Sequence, residues 1–166
     1  MKIIGFSNIG GEVKMVLKGD SSLLVNHKPF FIPDWSNDIQ MTPCVVLRIS
    51  RLGKNITAAF ANRYYDVVAL GLNIYAADYV AKGDWTRAWA FDYSLPLGKW
   101  LSIDENPWQE LIITMEEAIE QASKVMTIRQ GDMIAIDCNI PSRQLNKEEV
   151  IQIKNNGEEL LYCKIK

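Results

Sequence analysis

Two apolar runs constrain this chain more than any other feature. Cys44 to Ile49 is compact and β-branched at Val45, Val46 and Ile49, and a second run extends from Val67 to Ile74. A short run that is apolar at successive rather than alternate positions suits a strand covered on both faces. Both are therefore expected as central strands of a sheet, with Arg51-Leu52-Gly53-Lys54-Asn55 breaking the chain between them.

Shorter signals fill in around these runs. Lys2 to Phe6 and Glu12 to Leu17 are β-prone, and Gly10-Gly11 supplies the positive φ of a tight turn, which predicts an opening hairpin. Leu23 to Val25 and Phe30 to Ile32 flank a polar Asn26-His27-Lys28 tip, with Pro29, Pro33 and Pro43 keeping that stretch out of helix. A short helix is expected from Thr57. Thr114-Met115-Glu116-Glu117 forms a capping box, and Ala118, Ile119, Ala122, Val125 and Met126 follow at helical spacing, so a well-marked helix is expected near 114–126. Met133 to Ile136 reads as a strand, and Asn156-Gly157 joins the last two strands as a hairpin. The sum is an α+β, β-rich chain.

The 166 residues suit one domain, 1–166, and no repeat or flexible linker divides them. Net charge is −2 with lysines and arginines scattered, which argues against nucleic acid as a partner. The N-terminus turns polar too soon for a signal-peptide core or a membrane span, and a cytoplasmic location is expected. Cys44, Cys138 and Cys163 form no metal-binding pair, and buried reduced thiols are the simplest reading.

Direct motifs for chemistry are sparse. His27 is the only histidine, which excludes a His-based metal cluster or triad within one chain. No phosphate-binding or nucleophile-elbow motif occurs. The acidic pairs Glu116-Glu117, Glu148-Glu149 and Glu158-Glu159 lie at a helix start or beside turns and are accounted for there. Trp85, Trp89, Trp100 and Trp108 could line a pocket or an interface, although core packing also explains them.

Several segments taken in order resemble the fumarylacetoacetate hydrolase family, in particular its single-domain isomerases, hydrolases and decarboxylases. These are Lys28 to Asp34, Val45 through Ile56, Arg63-Tyr64-Tyr65-Asp66-Val67, Phe91-Asp92, Gly131-Asp132 and Glu159 to Lys166. The resemblance implies a mixed β-sheet roll, usually dimeric, with a Mg²⁺ or Mn²⁺ site acting on 2-oxo acids or acylpyruvate-like dicarboxylates.

The same resemblance marks where this chain departs. The family's Glu-x-Glu pair falls on Thr42 and Cys44, and its third carboxylate falls on Asn73. Mg²⁺ is a hard cation held by carboxylates and substrate oxygens, so a hydroxyl, a thiol and an amide are a poor replacement. A substrate-binding lysine falls on Trp89, the Gly-Thr-Pro turn falls near Cys138-Asn139-Ile140, and the lid segment looks shortened around 7–13, as does the stretch 100–111. Tyr75 and Trp89 are expected to fill the vacated pocket, while Asp78 and Asp92 match family positions. The expectation is a non-catalytic relative kept for binding or assembly, as a homodimer or a heterodimer with an active relative, with no cofactor. The alternative is an active 2-oxo acid enzyme with a rearranged site, in which Asp78, Asp92 and Asp137 supply the chemistry and Mg²⁺ or Mn²⁺ is still required.

Overall fold

The computed structural model describes residues 1–166. The opening hairpin forms as β1 (Lys2–Ile9) and β2 (Glu12–Gly19), turned by Gly10 and Gly11 at φ of 63° and 84°. After β3 (Leu23–Leu24), the two apolar runs become the long strands β4 (Ile39–Ile49) and β5 (Tyr65–Ala76). Two helices of five residues, α1 (Ala77–Ala81) and α2 (Trp85–Trp89), lead to β6 (Leu95–Leu101). The capped helix is α3 (Met115–Val125), with Thr114 Oγ1 accepting from the Glu117 N–H and Glu117 Oε2 accepting from the Thr114 N–H. β7 (Met133–Asp137), β8 (Arg143–Gln144) and the hairpin of β9 (Val150–Asn155) and β10 (Glu158–Lys164) complete the chain. The architecture is the expected strand-rich α+β roll. The short helix expected from Thr57 forms as a 3-10 helix over Ala58–Arg63, and the helices missing from the sequence reading are α1 and α2, which are too short to show a helical period.

The main sheet runs β2-β1-β7-β4-β5-β6-β3, with β8 also on β4. Most pairs are antiparallel, but β1 runs parallel to β7, so the sheet is mixed. Successive side chains in a strand face opposite sides. One face carries Ile4 and Phe6, Val45 and Leu47, Leu70 and Leu72, and Ile134 and Ile136, all within the main core. Ala118, Ile119 and Ala122 of α3 and Leu160 of β10 belong to the same core. The two central runs are thus buried on both faces, as their composition predicts.

The opposite face is where the polar residues collect. Ser7, Thr42, Cys44, Asn73 and Asp137 all have the parity that excludes them from the main core, and Lys18 has the same parity on β2 as the buried Val16. In a flat sheet β1 and β5, three strand spacings apart, would be separated by about 14 Å. Asn73 Nδ2 nevertheless donates to Ser7 Oγ at 2.8 Å. The sheet is therefore curled so that this face lines the inside of the roll.

Candidate active site

The interior of the roll brings together residues from five strands. Cys44 on β4 lies opposite both Gly71 and Asp137, and Thr42 lies opposite Asn73. Gly71 leaves room here: a Cβ would stand 3.1 Å from Cys44 Sγ and 3.2 Å from a Val46 methyl, so these neighbours would have to yield by a few tenths of an ångström. Cys44 and Asn73 are wholly buried, and Thr42 and Asp137 nearly so. The Asn73 amide donates to Asp137 Oδ1 at 2.8 Å as well as to Ser7, while its own Oδ1 has no protein donor. Burial pushes the Asp137 carboxyl up to about 7, opposed by the Asn73 and Ser7 hydrogen bonds and by the charge of Lys18. Burial also raises the Cys44 thiol well above its ordinary range, so it stays neutral.

Lys18 is the residue that sequence reasoning missed. It is 1% exposed. Its Nζ donates to the Ile74 carbonyl at 2.7 Å, to Ser94 Oγ at 2.9 Å and to the Trp89 carbonyl at 3.0 Å. A fourth contact, to the Ser94 carbonyl, is longer, at 3.4 Å. Burial draws its pKa down from 10.5 to about 7, with the negative charge of Asp137 opposing. The Lys18 amine thus binds the Trp89 backbone from inside the roll. The only sequence signal for it is a lysine at the parity of Val16, and an edge strand carries such residues routinely.

Of the remaining sequence-derived positions, Tyr75 and Trp89 stack with ring centroids 4.6 Å apart and planes 17° apart. The Tyr75 hydroxyl meets Ser142 Oγ at 2.9 Å, and the buried Trp89 indole N–H has no protein acceptor. Asp78 is directed elsewhere: it accepts from Ser36 Oγ at 2.7 Å and from the N–H of Tyr79 at 3.1 Å, tying the 36–38 loop to α1. Asp92 is exposed, and no hydrogen bond links it to the interior group. Only Asp137, of the three aspartates considered for a rearranged site, lies there. The tryptophans do not form one cluster: Trp85 is exposed, Trp100 stacks under the Arg48 guanidinium, and Trp108 packs at the border of the main core.

A cleft of about 350 Å³ opens above Asp137, lined also by Thr42, Asn8, Asn139, Ile140 and Ser142. Thr42 reaches this cleft, whereas Cys44 and Asn73 lie beneath it. This set does not fit a divalent metal of the magnesium class. A ligand to a cation must present lone pairs, but Asn73 presents its N–H₂ to Asp137. Cys44 is a neutral thiol, and Asp137 is the single carboxylate, with the Lys18 charge nearby. No three Cys, His, Asp or Glu side chains are grouped so that they could share an ion.

No protein-family model and no curated protein matches the chain. Solved structures do. A 5-carboxymethyl-2-hydroxymuconate delta-isomerase from Mycobacterium smegmatis superposes with a TM-score of 0.84 at 19% identity, over 99% of this chain and 78% of that one. A 2-hydroxyhepta-2,4-diene-1,7-dioate isomerase from Mycobacterium marinum gives 0.83 at 21%, over 99% and 73%. A protein provisionally assigned to the fumarylacetoacetate hydrolase family, from Yersinia pestis CO92, gives 0.83 at 18%, over 99% and 91%. At such low identities the likeness establishes architecture and nothing finer: the chain has the rolled-sheet fold of fumarylacetoacetate hydrolase family proteins.

Proposed function

We propose that this chain is a non-catalytic relative of the metal-dependent enzymes that share its fold, kept for binding or assembly. One observation carries the reading. At the position where the family pattern calls for the third carboxylate, Asn73 donates hydrogen bonds to Asp137 and Ser7, and the nearby cationic group is Lys18. Asp137 is therefore met by a protein amide and lies near a protein amine, which supports an interior that does not call for a bound ion. Acylpyruvates and oxaloacetate, supplied with Mg²⁺ or Mn²⁺, test this directly. The expected result is turnover no faster than the metal-ion background, and clear enzyme-dependent turnover abolished by chelator would overturn it. Assembly as a homodimer, or with an active relative, is part of the proposal; light scattering that finds only monomer, alone and in such a mixture, would count against that part.

A second reading is favoured by Asp137 itself. A buried carboxyl with a pKa near 7 at the floor of a cleft has the placement of a general acid or base. On this reading 2-oxo acid turnover persists in chelator and is lost in Asp137→Asn.

A further inference from the structure

We propose that the cleft over Asp137 binds a small neutral or cationic molecule presenting N–H donors, of the amine or amide class, and rejects carboxylate anions; this rests on the metal-free reading above. The argument is the charge of the lining. No lysine, arginine or histidine lines the cleft. The nearby Lys18 has its amine directed to Ile74, Ser94 and Trp89, so no N–H remains for a ligand. Asp137, held at Oδ1 by the Asn73 amide, is the one ionisable carboxyl in the lining, and Asn8, Asn139 and Ser142 beside it are neutral groups that both donate and accept.

A carboxylate entering this cleft would meet Asp137 with no cation in the lining to pair with, the Lys18 amine being committed to acceptors inside the roll, and would lose its own hydration. An ammonium or amide head would meet the Asp137 carboxylate, and a short methylene chain would lie along Ile112 and Ile140. The volume, about 350 Å³, is at the low end for small-molecule sites and suits a ligand of few carbons.

Three probes on one four-carbon skeleton separate the charge classes: 1,4-diaminobutane, succinamide and succinate. Each is titrated into the intact ¹⁵N-labelled protein, with and without Mg²⁺. The expected result is shifts of the Thr42 and 137–142 amides with diamine or diamide, at least about tenfold tighter than with succinate, in keeping with a reversed Coulomb sign at short range. Asp137→Asn should abolish the diamine shifts. Ile140→Trp, which narrows the mouth without touching the interior hydrogen bonds, should do the same and decides the case if Asp137→Asn does not fold. Equal or tighter succinate binding without Mg²⁺, or no response to any probe, overturns this inference. Succinate binding that appears only with Mg²⁺ overturns the metal-free reading itself.

Discussion

Lys18→Met isolates the tie that closes the roll. Methionine retains the apolar stem but removes the amine that spans from β2 to the Ile74, Trp89 and Ser94 acceptors at 2.7, 3.0 and 2.9 Å. A hydrogen bond to a charged group contributes about 1.5–3 kcal/mol, and part of that gain is offset by the cost of burying the amine. Removing the amine leaves those buried acceptors without a donor, which costs about 1–3 kcal/mol. The upper figure, about 3 kcal/mol, is expected here, and for a chain of this size it lowers Tm by about 6–12 °C. Urea denaturation of Lys18→Met, Asp137→Asn and the double variant gives the coupling, which should be at least about 1 kcal/mol. The pH dependence has a defined sign. Between about pH 7 and 10.5 unfolded Lys18 holds a proton that the folded chain releases. Lys18 therefore makes the parent more stable as pH rises through that window, and the deficit of Lys18→Met should widen toward pH 10. A variant within about 0.5 kcal/mol of the parent, or strictly additive with Asp137→Asn, would refute the role assigned to Lys18.

Further expectations address other parts of the fold. Asp137, raised from 3.8 to about 7, contributes stability that is present at pH 4 and lost as pH rises through 7, so the stability gap between parent and Asp137→Asn should shift in the parent's favour on acidification. Burial pushes the Asp132 carboxyl up, but the Lys2 side chain and the N–H groups of Lys2 and Arg129 outweigh it and hold it below its usual value. Asp132→Asn should therefore lose about 1–2 kcal/mol at pH 7, and the loss should vanish as pH falls below 3.8 in acid-denaturation curves. A Cβ on Gly98 would collide with the Leu160 carbonyl oxygen, so Gly98→Ala should cost about 2 kcal/mol and expose the β9–β10 amides to hydrogen exchange before those of β4. Thr114→Ala removes the α3 cap and should cost about 1 kcal/mol, or about 2–4 °C in Tm.

What could be read from the sequence was local or periodic. The α3 capping box depends on residues three apart, and the hairpin turns depend on adjacent pairs: Asn156 and Gly157 take φ of 48° and 81°. The two-faced burial of Cys44–Ile49 follows from consecutive apolar residues. Strand parity also places Thr42, Cys44 and Asn73 on one face. Other elements were hidden for definable reasons. β6 contains Pro96 and Gly98, both strand breakers in isolation, and Gly98 is there so that the Leu160 backbone can approach. Strand β4 passes through Pro43, which lacks an N–H but still accepts from the Cys138 N–H at 2.9 Å. Lys18 could not be recognised, because its acceptors lie 56 to 76 residues away and meet it only when the sheet curls. The removal of Asp78 from the site has the same origin, since its partner Ser36 is 42 residues distant.

The most direct test of the account is metal content. Protein purified without chelator, then dialysed against Mn²⁺ and measured by elemental analysis and calorimetry, should carry far less than one ion per chain and give no saturable heat. About one tightly bound Mn²⁺ or Mg²⁺ per chain, displaced when Asn73 or Asp137 is replaced by alanine, would contradict it.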